Sequence, residues 1–153
     1  MPRIRAADPL DASARDLIRR HLTLMWASSP PGSVHAMESK DLADQEARFF
    51  LMEMDGRPVG MGAIKAIDPD HAELRSMHVL DEMRGRGLSK HMLEHLLETA
   101  LRKGFRRVSL ETGAQTAFTA ARGLYASAGF TPCAPFAGYT EDPNSVFFTK
   151  RLG

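Results

Sequence analysis

The sequence predicts a mixed α/β (α+β) fold, a mostly antiparallel sheet flanked by helices. Three observations predict it. β-Rich runs recur from Arg48 onward, joined by turns at Asp55-Gly56 and Asp68-Pro69-Asp70. A strong amphipathic helix follows Gly87 and leads into another β-rich run, as a parallel crossover requires. The composition, 43% hydrophobic and 25% charged over 153 residues, is that of a globular chain with one sizeable core, so residues 1–153 are expected to form a single domain.

The elements follow in order. Ile4 to Ala7 is a short edge strand that ends at Asp8-Pro9. Asp11 or Ser13 caps a helix that carries Leu17, Ile18, His21, Leu22 and Met25 at helical spacing. Ala27 to Ser33 has the chemistry of a loop, and Val34 to Asp44 suits a short helix. RFFLMEM and PVGMGAIKAI form a hairpin about Asp55-Gly56, and HAELRSMHV adds a third antiparallel strand. After Gly87, Leu88, Met92, Leu93, Leu96, Leu97, Ala100 and Leu101 make one apolar stripe that ends at Lys103-Gly104. Arg107 to Glu111 is a strand, and a helix runs from about Thr116 to Ala128 and stops at Gly129. FTPCAPF and SVFFTKRL close the fold as strands. Met52, Met54, Met61 and Met92 fill the core, and Cys133 is a small buried hydrophobe.

Charge and cysteine content exclude several classes. A formal net charge of +1 gives no overall attraction to nucleic acid or a membrane. The single cysteine rules out an intramolecular disulfide. No apolar stretch is long enough for a signal peptide or a bilayer span, so a cytoplasmic protein is expected.

The stretch that carries chemistry is Arg84-Gly85-Arg86-Gly87 at the start of the strongest helix. Closely spaced glycines let the backbone bend tightly, and the free N–H groups of the helix start, with its dipole and two arginines, suit a phosphate-bearing ligand. It is neither a P-loop nor a dinucleotide fingerprint, since the required lysine-serine and the third glycine are missing. It does match Arg-x-x-Gly-x-Gly/Ala, with Arg84, Gly87 and Ser89 in the defined places and Ser89 standing for the usual Gly or Ala. Between a strand and a long helix, it resembles the acetyl-CoA pyrophosphate loop of the GNAT N-acetyltransferase superfamily. A second motif, Leu124-Tyr125-x-x-x-Gly129-Phe130, resembles the family's tyrosine-bearing helix and lies one helix and one strand further on. Ala121 fits the small residue before that tyrosine, whereas Phe118 replaces a frequent asparagine. The strings HLTLMWASSPPGSVHAM, SLETG, LYASAGF, PC-x-PF and DPNSVFFTK resemble a bacterial subgroup of small, largely uncharacterised members.

The resemblance implies a GNAT fold: a central sheet of about six to seven strands, splayed at its middle, with about four helices. It implies acetyl transfer from acetyl-CoA to a primary amine of a small molecule or peptide, by direct attack in a ternary complex and without a metal. The backbone of Arg84, Gly85, Arg86, Gly87, Leu88 and Ser89 would take the pyrophosphate. The backbone of Met77, His78 and Val79 would hold the pantetheine, with Ala121 close by. Tyr125 would protonate the departing thiolate. Glu73 is the first candidate for the base and Glu111 the second. His35, Asn144 and Ser145 are candidates for the acceptor pocket. Similar proteins also commonly form homodimers.

Two rival readings have sequence features of their own. A non-catalytic acyl-CoA-binding or sensing module on the same fold would bind CoA without turnover and would not need Tyr125. His91-x-x-Glu94-His95 matches a zinc metalloprotease pattern, but both histidines are expected toward the polar side of their helix and nothing marks a third ligand.

Overall fold

The computed structural model describes residues 2–28 and 47–153. Among these residues seven strands form one sheet: β1 (Arg3–Ala6), β2 (Ala47–Met54), β3 (Arg57–Asp68), β4 (His71–Val79), β5 (Arg107–Gly113), β6 (Thr131–Pro132) and β7 (Ser145–Arg151). Their order is β1-β2-β3-β4-β5-β7-β6, and only β4 and β5 run parallel. Among the described residues there are three α-helices, α1 (Ala12–Ser28), α2 (Leu88–Arg102) and α3 (Thr119–Ser127). The helix expected over Val34–Asp44 lies outside the described residues, as do most of the loop expected before it and the acceptor candidate His35. Ala27 and Ser28, expected in that loop, belong to α1.

The hairpin forms as its turn chemistry requires. Asp55 and Gly56 both have positive φ, 52° and 77°, the primed geometry whose twist matches antiparallel strands. α2 connects the parallel pair β4 and β5 and buries Leu88, Met92, Leu93, Leu96 and Ala100. Leu101, expected in the same stripe, is 50% exposed. It sits in the last turn, where the helix has rotated that edge away from the sheet. Gly62 of β3 explains how closely α2 approaches: a Cβ there would lie 2.8 Å from Leu96 Cδ1. Any side chain there would displace Leu96 from its present seat against β3.

Alternation along the strands sorts the side chains onto two faces. Gly62 faces α2. Met61 and Ala63 face the other way, and their cross-strand partners are His78 and Arg75. His21 of α1 touches His78, so α1 covers that opposite face. A β-bulge at Ser76–Met77, two residues against Gly62 alone, keeps Arg75 and His78 on one face although they are three apart. Ser76 takes φ 54° to make it. Lys65 pairs with Glu73, which places Glu73 on the α1 face too.

α3 is introduced by a 3-10 turn at Thr116–Phe118, where a continuous helix was expected. Arg122 braces this entry by donating to the carbonyls of Gly113 and Gln115 at 2.7 and 2.9 Å. The helix stops in a Schellman motif. Gly129 N–H bonds Ala126 O, Phe130 N–H bonds Tyr125 O, and Gly129 takes φ 97°. Cys133, expected to be buried, is half-buried, and its amide bonds Phe147 O at 2.9 Å.

Candidate active site

β4 and β5 are paired only at their first three positions, His71 with Arg107, Ala72 with Val108 and Glu73 with Ser109. Beyond Glu73 the strands part, and a cleft of about 380 Å³ occupies the gap. That size suits a small-molecule ligand. A polar chain ties the strands together where they are still paired. Ser109, 1% exposed, bonds His71 Nε2 at 2.6 Å and Thr149 Oγ1 at 2.9 Å, and Arg107 donates to the same threonine.

One end of the cleft is the glycine loop. Arg84, Gly85, Gly87, Leu88 and Ser89 line it, joined by Lys90; Arg86 is exposed and is not part of the wall. Gly85 and Gly87 have φ of 80° and 75°. A left-handed Gly87 at the helix start leaves the first amides of α2 directed outward, where the helix dipole favours an anion. Met77, His78 and Val79 form the β4 wall, and Ala121, Leu124 and Tyr125 of α3 form the wall opposite.

Tyr125 is buried against Phe130 and Phe148, with ring centroids 5.8 and 6.3 Å away. Burial, and secondly the negative charge of Glu111, push its phenol well above the usual tyrosine range. It therefore keeps its proton throughout the neutral range. Phe148 pairs with Leu110 and Phe147 with Glu111, so Tyr125 and Glu111 belong to opposite faces of the sheet. The cleft passes through the sheet between them.

The other end lies on the α1 face and holds both candidate carboxylates. Glu73 is only 2% exposed. Its Oε1 pairs with Arg75 Nε at 2.9 Å, and its Oε2 accepts the Tyr139 hydroxyl at 2.6 Å. Glu111 Oε2 accepts Ser145 Oγ at 2.6 Å. Neither Asn144 nor Ser145 lines the cleft. Ser145 meets it only through Glu111, and Asn144 sits in the turn before β7, its amide donating to Asp142 Oδ1 and its carbonyl accepting from Ala114.

Three wall residues carried no functional signal in the sequence: Arg75, Tyr139 and His21, whose ring meets that of His78. The two histidines meet Nδ1 to Nδ1 at 3.3 Å. Burial, and then the neighbouring ring, lower the pKa of His21 to about 3. His95 of the metalloprotease-like string packs edge-on against Phe50, with ring centroids 4.8 Å apart, so it turns toward the core rather than the polar side. Among the described residues, no three metal-ligating side chains converge. No described helix is long and apolar enough to cross a membrane.

Comparison with known proteins agrees with this geometry. The sequence profile of the acetyltransferase (GNAT) family matches residues 13–130. The chain is 43% identical over 136 residues to the uncharacterised N-acetyltransferase YsnE of Bacillus subtilis, covering 89% of this chain and 90% of that one. It is 36% identical over 149 residues to the uncharacterised N-acetyltransferase YedL of Escherichia coli, covering 97% and 94%. A crystal structure from Klebsiella pneumoniae, provisionally assigned as an acyl-CoA N-acyltransferase, superposes with a TM-score of 0.84 at 29% identity over 100% of this chain and 99% of that one. A seven-stranded splayed sheet, a glycine loop at the start of α2 and a buried tyrosine on α3 thus coincide with a family match over most of the sequence: the chain belongs to the GNAT acetyltransferase family.

Proposed function

We propose that this chain transfers an acetyl group from acetyl-CoA to a primary amine of a small molecule or peptide, by direct attack within a ternary complex. The observation that carries the reading is the cleft through the splayed sheet, with an anion-suited loop at one end and two carboxylates at the other.

The residues fit a pyrophosphate. A Cβ at Gly85 or Gly87 would meet nothing within 4 Å, so open space lies over the loop, and Arg84 and Lys90 flank it. Main-chain N–H groups there, from Arg84 to Ser89, can donate to it, as at other helix starts. β4 beyond Glu73 turns its free edge to the cleft, so Met77 to Val79 can hold an extended ligand as a neighbouring strand would. Acetyl-CoA, when bound, supplies the thioester carbonyl that the amine attacks.

Acetyl transfer needs a neutral amine and a protonated leaving thiol. An amine arrives mostly as ammonium, and the carboxylates at the acceptor end attract it and can take its proton. Glu73 is the first candidate for this base, with Glu111 second, each acting directly or through water. Tyr125, which holds its proton through the neutral range, can give it to the departing thiolate. Holding amine and thioester in one cleft supplies much of the remaining acceleration.

The test is thiol release from acetyl-CoA across a panel of amino acids, linear polyamines, arylalkylamines and short peptides. At least one amine should accelerate release and appear as its N-acetyl derivative by mass spectrometry. Tyr125→Phe should lower kcat roughly 100-fold or more, the scale of a lost general acid. CoA binding without turnover, unchanged by Tyr125→Phe, would instead identify a sensing module.

A further inference from the structure

Tyr139 lies in the segment between β6 and β7, sixty-six positions from the carboxylate it touches. Its placement is built rather than incidental. Residues 136–139 form a tight turn in which Tyr139 N–H bonds Phe136 O at 2.9 Å. The two central residues, Ala137 and Gly138, have φ of 50° and 84°. Positive φ at an alanine is uncommon, so the surrounding contacts must hold it there. Those contacts are aromatic. Phe136 and Tyr139 lie edge-on to each other at 5.3 Å between centroids, and both pack on Phe147, at 5.9 and 5.6 Å. Phe147 is the cross-strand partner of Glu111. The turn is thereby anchored to β7, the strand paired with the one that carries the second carboxylate, while its tyrosine reaches across to the first.

At Glu73 the chemistry is one-sided. The Tyr139 phenol donates to Oε2, and the Arg75 guanidinium stands 2.9 Å from Oε1 as a counter-charge, without a hydrogen bond from its Nε. Burial of Tyr139, and then the charge of Glu73, push its phenol above the usual tyrosine range, so it remains a donor at neutral pH. A buried Glu side chain with two torsions beyond Cβ would otherwise sample several directions. Here one oxygen is held by a hydrogen bond and the other faces a positive charge.

We infer that Tyr139 is a positioning residue for the transfer: its hydroxyl, opposed by Arg75, fixes the Glu73 carboxylate in the geometry that faces the incoming amine at the acceptor end of the cleft. This rests on the reading of Glu73 as the base. Tyr139 itself exchanges no proton with the substrate. Its contribution is orientation, and the residue through which it acts is Glu73.

The test is a double-mutant cycle of Tyr139→Phe and Glu73→Gln, read by thiol release from acetyl-CoA. The acceptor is the fastest amine of the panel above, or water where no amine outpaces it. Phenylalanine keeps the ring stack and removes only the hydroxyl. Tyr139→Phe is expected to lower kcat roughly 10-fold, the scale of a lost charge-assisted hydrogen bond, with KM for acetyl-CoA within about twofold. The double variant should be no slower than Glu73→Gln alone, because the hydroxyl then has no carboxylate to orient. A wild-type rate for Glu73→Gln would remove the base reading and this inference with it. A slow Glu73→Gln beside a fully active Tyr139→Phe would overturn the inference alone and leave Tyr139 a packing residue, as would an impairment seen only in Tyr139→Ala. Independent, multiplying losses in the double variant would also overturn it, since Tyr139 would then act without Glu73.

Discussion

His21 and His78 show how much a single contact across the fold can hide. His21 falls on the apolar stripe of its helix and reads as a core position, and His78 reads as a strand residue whose main chain matters. That their rings meet follows only from the packing of α1 on β4 and from the bulge that turns His78 to that face. The consequence is a pH dependence. The folded pKa of His21 is depressed to about 3, so the unfolded chain binds the extra proton first as pH falls. Stability is therefore fully present above the unfolded value of 6.5 and is lost between there and about 3. The loss should approach about 1.4 kcal/mol per pH unit for this one group. Urea unfolding at pH 7 and pH 5 checks it, with His21→Leu expected to flatten the difference; an equally steep decline in that variant would assign the dependence to other groups. Tyr139 was invisible in sequence for a related reason. An isolated tyrosine in an irregular segment matches no motif, and its partner is far away in the chain.

At the scale of elements, the sequence was most legible where local physics is strong. The Asp-Gly hairpin, the stripe of α2 and the stop at Gly129 all formed where turn chemistry and periodicity put them. The Leu-Tyr-x-x-x-Gly-Phe string has a plain physical meaning here. Gly129 supplies the left-handed stop, Phe130 folds back on Tyr125, and the tyrosine is pinned one turn before the helix end. What local physics could not give was the bulge at Ser76–Met77, which depends on pairing with β3, or the loss of Leu101 from the stripe. α2 carries both the loop and a large part of the core, so its packing holds the site. Leu96 is fully buried and presses against Gly62. Leu96→Ala should cost about 2–5 kcal/mol, because the rigid backbone at Gly62 cannot close the cavity. Chemical denaturation measures this, and a cost below about 1 kcal/mol would mean that α2 is not held as described.

At the scale of the molecule, the sheet is continuous on either side of one interruption, and that interruption is the cleft. β4 and β5 pair for three residues and then separate, which leaves a strand edge, a helix start and a buried tyrosine around a common space. The resemblance to the family anticipated this splay; composition and periodicity did not, because register between distant strands leaves no local trace. The acceptor end was the least legible part, since its wall comes from α1, the bulge and the segment before β7 together. The most direct measurement is thermal stability with acetyl-CoA and with CoA, for the wild-type chain and for Gly87→Glu. A ligand present at 100 times its Kd stabilises the native state by about 2.7 kcal/mol. Both ligands should raise the wild-type midpoint, and neither should raise that of Gly87→Glu, whose side chain fills the open space over the loop with bulk and negative charge. An unmoved wild-type midpoint at saturating cofactor, or an undiminished shift in Gly87→Glu, would contradict the account at its centre.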